Sequence, residues 1–375
     1  MSDAPSQPDP TVGHVLFTGG GSGGHVVPNL PVMEQLAAKG WQLSYLGSAN
    51  GPERALIEPT GVPFYAISTG KLRRYLSWQN LIDVFRTLRG LWQAWRLLGR
   101  LRPDLVFSKG GFVTVPPAIA AWLRGIPVIV HESDTTPGLA NRLILPIAAV
   151  VCTNFPGQSI RTRRLTRTPL EIVHTGTPLR PALLQGDAAR GRAAFGFADE
   201  NRPILLVVGG SLGARVLNEL VWTSLPALTE RFNVVHIYGQ GEVPAKVSDN
   251  PSYRAYAYVN AGWGDMLAAA DLILSRAGAN ALYELLALRK PHVLVPLTRA
   301  GSRGDQLENA AFAEAAGYSV VVQESRLNTD LIMSTLVQML AELPAWRARL
   351  TEAGFGDGTA AVVDLIEQVH QRRSK

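Results

Sequence analysis

A single cysteine, Cys152, stands in the 375-residue sequence, so no disulfide can close within the chain and no Cys/His metal site can be assembled around it. Its apolar neighbours read it as a buried structural thiol. Long hydrophobic runs are missing too. The stretch LILPIAAVV (143–151) falls well short of the ~18–20 residues a bilayer span requires. The first dozen residues, MSDAPSQPDPTV, lack the apolar segment of a signal peptide, and 1–12 are expected to be a disordered tail. Together these absences point to a cytoplasmic globular chain, long enough for two domains. The formal charge is +6, but no RRM, KH or zinc-finger signature accompanies it, and no nucleic-acid partner is expected. The basic residues concentrate in 71–102, where few acids balance them; charge alone does not decide between nucleic acid, an anionic membrane and a phosphorylated substrate as what they meet.

What is present is an alternation of short apolar runs with helical periodicity. Strands are expected at 14–17, 42–46, 105–107 and 126–130, with a helix over 30–38, the pattern of an open parallel α/β sheet. At Pro203 the pattern restarts: ILLVVGGSLGARVLNEL (204–220) is again a buried strand, a glycine turn and a helix. Further strands are expected near 234–238, 253–258, 272–274 and 293–296. The fold class is therefore α/β, two consecutive doubly wound sheets. Their joint is expected in the Gly- and Pro-rich segment GTPLRPALLQGD (176–187).

Between the first strand and helix lies GGGSGGH (19–25). Gly19, Gly21 and Gly24 satisfy G-x-G-x-x-G, but a dinucleotide fold also wants an acid at the end of the second strand. That place reads YLGSANG, and the first acid, Glu53, lies beyond the turn. A Walker loop fails as well, with His25 and Val26 where Lys and Ser or Thr belong. What survives is a backbone that can approach an oxyanion or diphosphate, backed by the positive end of the next helix. The alternative is a tight turn that holds nothing, with a left-handed φ expected at Gly23. His25, at the start of that helix, is expected outside the carboxyl ends of the strands, where α/β folds bind ligands. The second half repeats the device in GGSLGAR (209–215) and in SRAGANALYELLALRKP (275–291). Gly278 and Ala279 head a helix there. Glu284, in its second turn, is either a ribose ligand or an exposed acid paired with a basic neighbour.

The motifs GGGSGGH, GGFVTVPPAIAAWLRGIPVIVHE (110–132), GLANR (138–142), GTPLR (176–180), GGSLGAR, SRAGANALYE and DQLENA (305–310), in this order, resemble the MurG family, peptidoglycan glycosyltransferases of the GT-B fold. The resemblance runs from about Val15 to the C-terminus. It implies two Rossmann-like domains facing a central cleft. Residues 13–180 would form an acceptor- and membrane-binding domain and 181–355 a UDP-sugar domain, with a C-terminal helix, 356–375, packing back on the first. The implied reaction is inverting transfer of GlcNAc from UDP-GlcNAc to the undecaprenyl-diphosphate-linked muramyl-pentapeptide, lipid I to lipid II. Cell-wall biogenesis, cell shape and cell division would depend on it. Arg180, Ser211, Gly278, Ala279, Glu284 and Gln306 match the UDP-GlcNAc site; Gly20, Gly23 and Gly24 match the contacts to the acceptor diphosphate. His25 matches the family's cleft histidine. The chain departs from the pattern at Asp134, where HESD replaces HEQN, at Asp305, which replaces the first of two glutamines, and at Thr177, which replaces an asparagine. Other transferases of the fold, acting on another lipid-linked acceptor or on diacylglycerol, and UDP-GlcNAc 2-epimerases are the alternatives.

Such a transfer needs a base on the acceptor hydroxyl, stabilisation of the leaving diphosphate and exclusion of water. No D-x-D is present, so no metal or other cofactor is expected, and helix ends with Arg180 would carry the diphosphate charge. His25, an imidazole that titrates near neutrality, is the base or an acceptor-diphosphate contact; Asp134 is the rival base. In LIDVFRTLRGLWQAWRLLGRLR (81–102) an apolar stripe that includes Trp92 reads mostly as core-facing. The arginines beside it, Arg86, Arg89, Arg96 and Arg100, also fit a face resting on anionic headgroups. Arg86, Arg89, Trp92 and Arg96 are assigned to that face. The family's place, peripheral on the cytoplasmic side of the cell's inner membrane, agrees with this.

Overall fold

The computed structural model describes residues 12–70, 78–158, 160–166, 168–197, 199, 201–210, 213–259, 261–299 and 303–374. The expected tail, apart from Val12, the basic run 71–77 and Ser211 lie outside the described residues. The chain forms two compact units: one runs to Arg180 and takes in Asp357–Lys375, and the other is Pro181–Gly356.

The first unit holds a parallel sheet of seven strands: β1 (His14–Thr18), β2 (Gln42–Ser48), β3 (Phe64–Ile67), β4 (Leu105–Ser108), β5 (Val128–Glu132), β6 (Val150–Thr153) and β7 (Glu171–His174). Their order is β3-β2-β1-β4-β5-β6-β7. Strands β1, β4, β5 and β6 are buried throughout, as expected where helices cover both faces of a parallel sheet. One face packs on the helix Asn29–Ala38 through Val32, Met33 and Leu36. The helix Thr359–Ser374 adds Val362, Val363, Leu365, Ile366 and Val369 to the same core. Asp357 anchors that return of the chain: its Oδ1 accepts from Leu179 N at 2.8 Å and from Thr359 N at 3.0 Å.

The second unit repeats the design with six parallel strands, β8 (Ile204–Val208), β9 (Asn233–Ile237), β10 (Tyr253–Tyr256), β11 (Leu272–Ser275), β12 (His292–Leu294) and β13 (Val320–Val321), ordered β10-β9-β8-β11-β12-β13. In both sheets the order reverses beside the first strand, between β1 and β4 and between β8 and β11. Loops at the carboxyl ends of those pairs flank a crevice in which open α/β sheets bind ligands. In the first unit, register sets Thr18 beside Ser108, so the loops after β1 and β4 start level.

Candidate active site

The glycine loop after β1 is built from below by the acid that sequence reasoning set aside. Glu53 is fully buried, and its carboxylate turns back under the loop. It accepts Ser48 N at 2.8 Å, Ser48 Oγ at 2.5 Å and Gly21 N at 3.3 Å. A Cβ at Gly20 would lie 2.6 Å from its carboxyl carbon, so Gly20 is required there for close approach. The left-handed φ falls at Gly21 (+83°) and not, as expected, at Gly23. Added Cβ atoms at Gly21 and Gly23 would meet nothing within 4 Å, so that side of the loop is open. His25 does not begin the next helix. It ends a three-residue turn, Gly23–His25, and the helix starts at Asn29. The expected support from a helix's positive end therefore does not reach the loop directly. The loop's own amide groups are what it can offer an anion.

The loop after β4 closes over the first. Gly20 N donates to Gly110 O at 3.3 Å, and a Cβ on Gly111 (φ +86°) would lie 2.1 Å from Gly20 O. Gly110 and Gly111 also flank His25: their Cβ positions lie 3.3 Å from its Nδ1 and Cδ2. The imidazole is half-buried, with the backbone of Gly110 and Gly111 beside it.

Behind this loop lies a polar cluster of which the sequence analysis singled out only Asp134. Lys109 follows β4 and is 1% exposed; its Nζ donates to Ser133 Oγ. Glu132, the last residue of β5, accepts Asp134 N at 3.0 Å, Gly138 N at 3.1 Å and Asn141 Nδ2 at 2.7 Å. Burial and the Asp134 charge push the Glu132 carboxyl above its ordinary range. Burial brings the Lys109 ammonium down to about 8, against the pull of Glu132 and Asp134. His131 is held well below its usual value by burial and by Lys109, and its Nε2 donates to Gly176 O at 3.0 Å. It is a neutral structural imidazole. Asp134 is half-buried on the same turn, with its backbone O accepting Gln158 Nε2 at 2.7 Å. The signal in the sequence is a charged residue at the end of a buried strand, FSK and VHE.

In the second unit, the loop after β8 turns tightly. Gly210 and Gly213 have left-handed φ (+94° and +78°), and a Cβ at Gly213 would lie 2.1 Å from Tyr238 O. The helix Arg215–Arg231 follows. After β11, Gly278 caps the helix Ala279–Ala287, and nothing lies within 4 Å of where its Cβ would be. Asn309 Nδ2 donates to Ala277 O at 3.2 Å, and Arg276 Nη1 donates to Val295 O at 3.1 Å and to Glu324 Oε2 at 2.7 Å, which together fix that loop. Glu284 is half-buried, five residues after Ala279 on the same helix. Gln306 opens the helix Asp305–Ala315, and its Oε1 accepts Leu297 N at 3.0 Å, which fixes the amide's orientation. Gly278, Ala279, Glu284 and Gln306 thus belong to one unit. Arg180 ends the other, and its Nε has no hydrogen-bond partner. Among the described residues, no group of three or more His, Cys, Asp or Glu is placed to hold a metal ion.

The helix Trp78–Leu101 corrects one expectation. Its stripe is not mostly core-facing: Phe85, Leu88, Trp92 and Trp95 are 66%, 56%, 57% and 45% exposed, while Ala94 and Leu98 are buried. Arg86, Arg89, Arg96 and Arg100 are exposed beside them. The guanidinium of Arg96 lies 5.5 Å from the Trp92 ring centre, and that of Arg124 lies 4.0 Å from Trp95. The packed neighbour Val115–Leu123 adds Trp122 and Leu123, 38% and 58% exposed. Among the described residues no helix is long and apolar enough to cross a membrane.

Two doubly wound units, each with a glycine-led loop at its switch point, are the architecture of glycosyltransferases of the GT-B fold. The chain belongs to glycosyltransferase family 28: residues 15–153 match the family's N-terminal domain and residues 204–369 its C-terminal domain. Over 354 residues it is 42% identical to the UDP-N-acetylglucosamine--N-acetylmuramyl-(pentapeptide) pyrophosphoryl-undecaprenol N-acetylglucosamine transferase of Geobacillus thermodenitrificans, covering 94% of this chain and 98% of that one. The transferase of the same name from Clostridium botulinum is 43% identical with the same coverage. The crystal structure of Acinetobacter baumannii MurG matches with a TM-score of 0.75 at 29% identity, over 95% of this chain and 99% of that one.

Proposed function

We propose that this protein moves GlcNAc from UDP-GlcNAc to an undecaprenyl-diphosphate-linked muramyl-pentapeptide, in peptidoglycan synthesis on the cytoplasmic side of the cell membrane. The observation that carries the reading is the pair of glycine-opened loops at the two switch points, one per unit, each beside a group suited to its half of the reaction. The first unit takes the acceptor, with Gly20, Gly23 and Gly24 at its diphosphate. The second takes the donor, with Gly278 and Ala279 at its diphosphate, Glu284 on the ribose hydroxyls and Gln306 on the sugar. Ser211 and Arg180 complete the donor contacts. The acceptor hydroxyl attacks the anomeric carbon, the bond from that carbon to the diphosphate oxygen breaks, and UDP leaves with inversion. His25 takes the hydroxyl proton, and Arg180 with the loop amides carries the charge that develops on UDP. Purified protein supplied with UDP-GlcNAc and a panel of lipid acceptors is expected to glycosylate the muramyl-pentapeptide diphosphate lipid. Transfer only to diacylglycerol or to another carrier would overturn this acceptor, and epimerised UDP-sugar without transfer would overturn the reaction.

The exposed aromatic and basic face of the helix Trp78–Leu101 serves to rest the first unit on anionic lipid. Replacing Arg86, Arg89 and Arg96 by Gln is expected to weaken binding to anionic vesicles by about 1 kcal/mol per residue, an effect that fades as salt rises. UDP-GlcNAc affinity is expected to stay as in the parent. Equal co-sedimentation of mutant and parent at low salt would remove this face from membrane binding.

A further inference from the structure

Lys109 has no part in the chemistry derived above, yet its surroundings are unusual for a lysine. Its side chain is buried, and its Nζ donates to Ser133 Oγ on the turn that carries Glu132 and Asp134. Its backbone N donates to Thr18 O at 2.9 Å, at the end of β1, and its chain continues directly into Gly110 and Gly111 against His25. One residue thus joins the ends of β1, β4 and β5 beneath the histidine.

We propose that Lys109 is a positioning residue for the acceptor half of the reaction: through Ser133 Oγ its ammonium holds the turn that carries Asp134, and through its backbone it holds the Gly110–Gly111 loop, in register with His25. This rests on the functional reading above.

The groups that face Lys109 are Glu132 at the end of β5, Asp134 on the turn after it, His131 within β5 and Cys152 in β6. Cys152 is pushed up to about 12 and His131 is held far down, so neither changes charge between pH 7 and the ordinary lysine value of 10.5. Lys109 itself loses its proton near pH 8. The unfolded chain keeps that proton up to about 10.5, so from this group the folded state gains stability as pH rises across the window. Loss of activity there is then loss of positioning and not unfolding by this residue.

The test is acceptor kcat/KM against pH for the parent, Lys109→Met and Lys109→Arg, with the muramyl-pentapeptide diphosphate lipid and UDP-GlcNAc, alongside the melting temperature and the donor Kd by calorimetry. The parent is expected to lose acceptor kcat/KM as pH rises through about 8 without a fall in its melting temperature. Lys109→Met is expected to sit about 10²-fold lower at pH 7, the scale of a small misplacement of catalytic groups, with no alkaline decline and an unchanged donor Kd. Lys109→Arg keeps the charge, and its decline is expected to move to higher pH. A Lys109→Met enzyme with the parent's rate and the parent's alkaline decline overturns the proposal. If neither variant folds, the parent still decides: a flat profile from pH 7 to 10 overturns it and a decline without a fall in melting temperature supports it. No transfer by the parent at any pH removes the functional reading, and this proposal with it.

Discussion

His25→Ala is expected to cut transfer to the lipid acceptor by about 10²- to 10⁴-fold, the range for a lost general base, while leaving UDP-GlcNAc affinity near that of the parent. The selectivity follows from the division of labour. His25 ends the glycine loop of the first unit, beside Gly110 and Gly111, whereas Gly278, Ala279, Glu284 and Gln306, the residues proposed for the donor, belong to the second. His25 is half-buried, and a purely structural role would give a different result: a lower melting temperature with no selective kinetic defect. Measuring kcat, acceptor KM, donor Kd and melting temperature on the same preparation separates the two. A well-folded His25→Ala enzyme working at the parent's rate would take His25 out of the mechanism and leave Asp134 as the candidate base.

The second large effect is expected at the other switch point. Glu284→Ala should weaken UDP-GlcNAc binding by roughly 1.5–3 kcal/mol for each charge-assisted hydrogen bond to the ribose, or about 10- to 150-fold in Kd for one such bond. Alanine favours helix at this position within Ala279–Ala287, so the helix itself is expected to survive the change. Calorimetry on the folded mutant reads the affinity directly. An unchanged Kd would return Glu284 to the role of a plain helical acid.

Much of the fold is legible in the sequence because its signals are local. An apolar run, a glycine turn and an amphipathic stretch succeed one another twice, and each of the long buried strands β1, β2, β4, β5, β8, β9 and β11 is foreshadowed by such a run. The strands that sequence reasoning passed over are mostly the edges. β3 and β7 border the first sheet and β13 the second, and all three are half-exposed, so they lack the continuous apolar signature of a strand covered on both faces. β6 was hidden for another reason: it shares the apolar stretch 143–151 with the end of the helix Leu139–Ile144, and only the break around Pro146 separates them. In the candidate site the glycines, His25 and Glu284 could be read from spacing. Lys109 and Glu132 could not, because a charged residue at the end of a strand reads the same whether it points to solvent or to a buried partner, and Asn141 stands in a short helix with no charge to mark it.

The sequence by itself determined the two doubly wound halves and the glycine loops that open each of them, since strand propensity, helical period and the need for glycine are properties of a few neighbouring residues. Tertiary structure alone decided what those loops meet. Gly20 finds Gly110 some ninety positions away because β1 and β4 lie side by side, and a Cβ on Gly111 has no room only because Gly20 O is there. It also decided which way the stripe on Trp78–Leu101 faces. A period of 3.6 residues states that one side of a helix is apolar; whether that side meets a core or an outside surface depends on where the rest of the chain packs, and here Ala94 and Leu98 take the interior while Phe85, Leu88 and Trp92 are left outside.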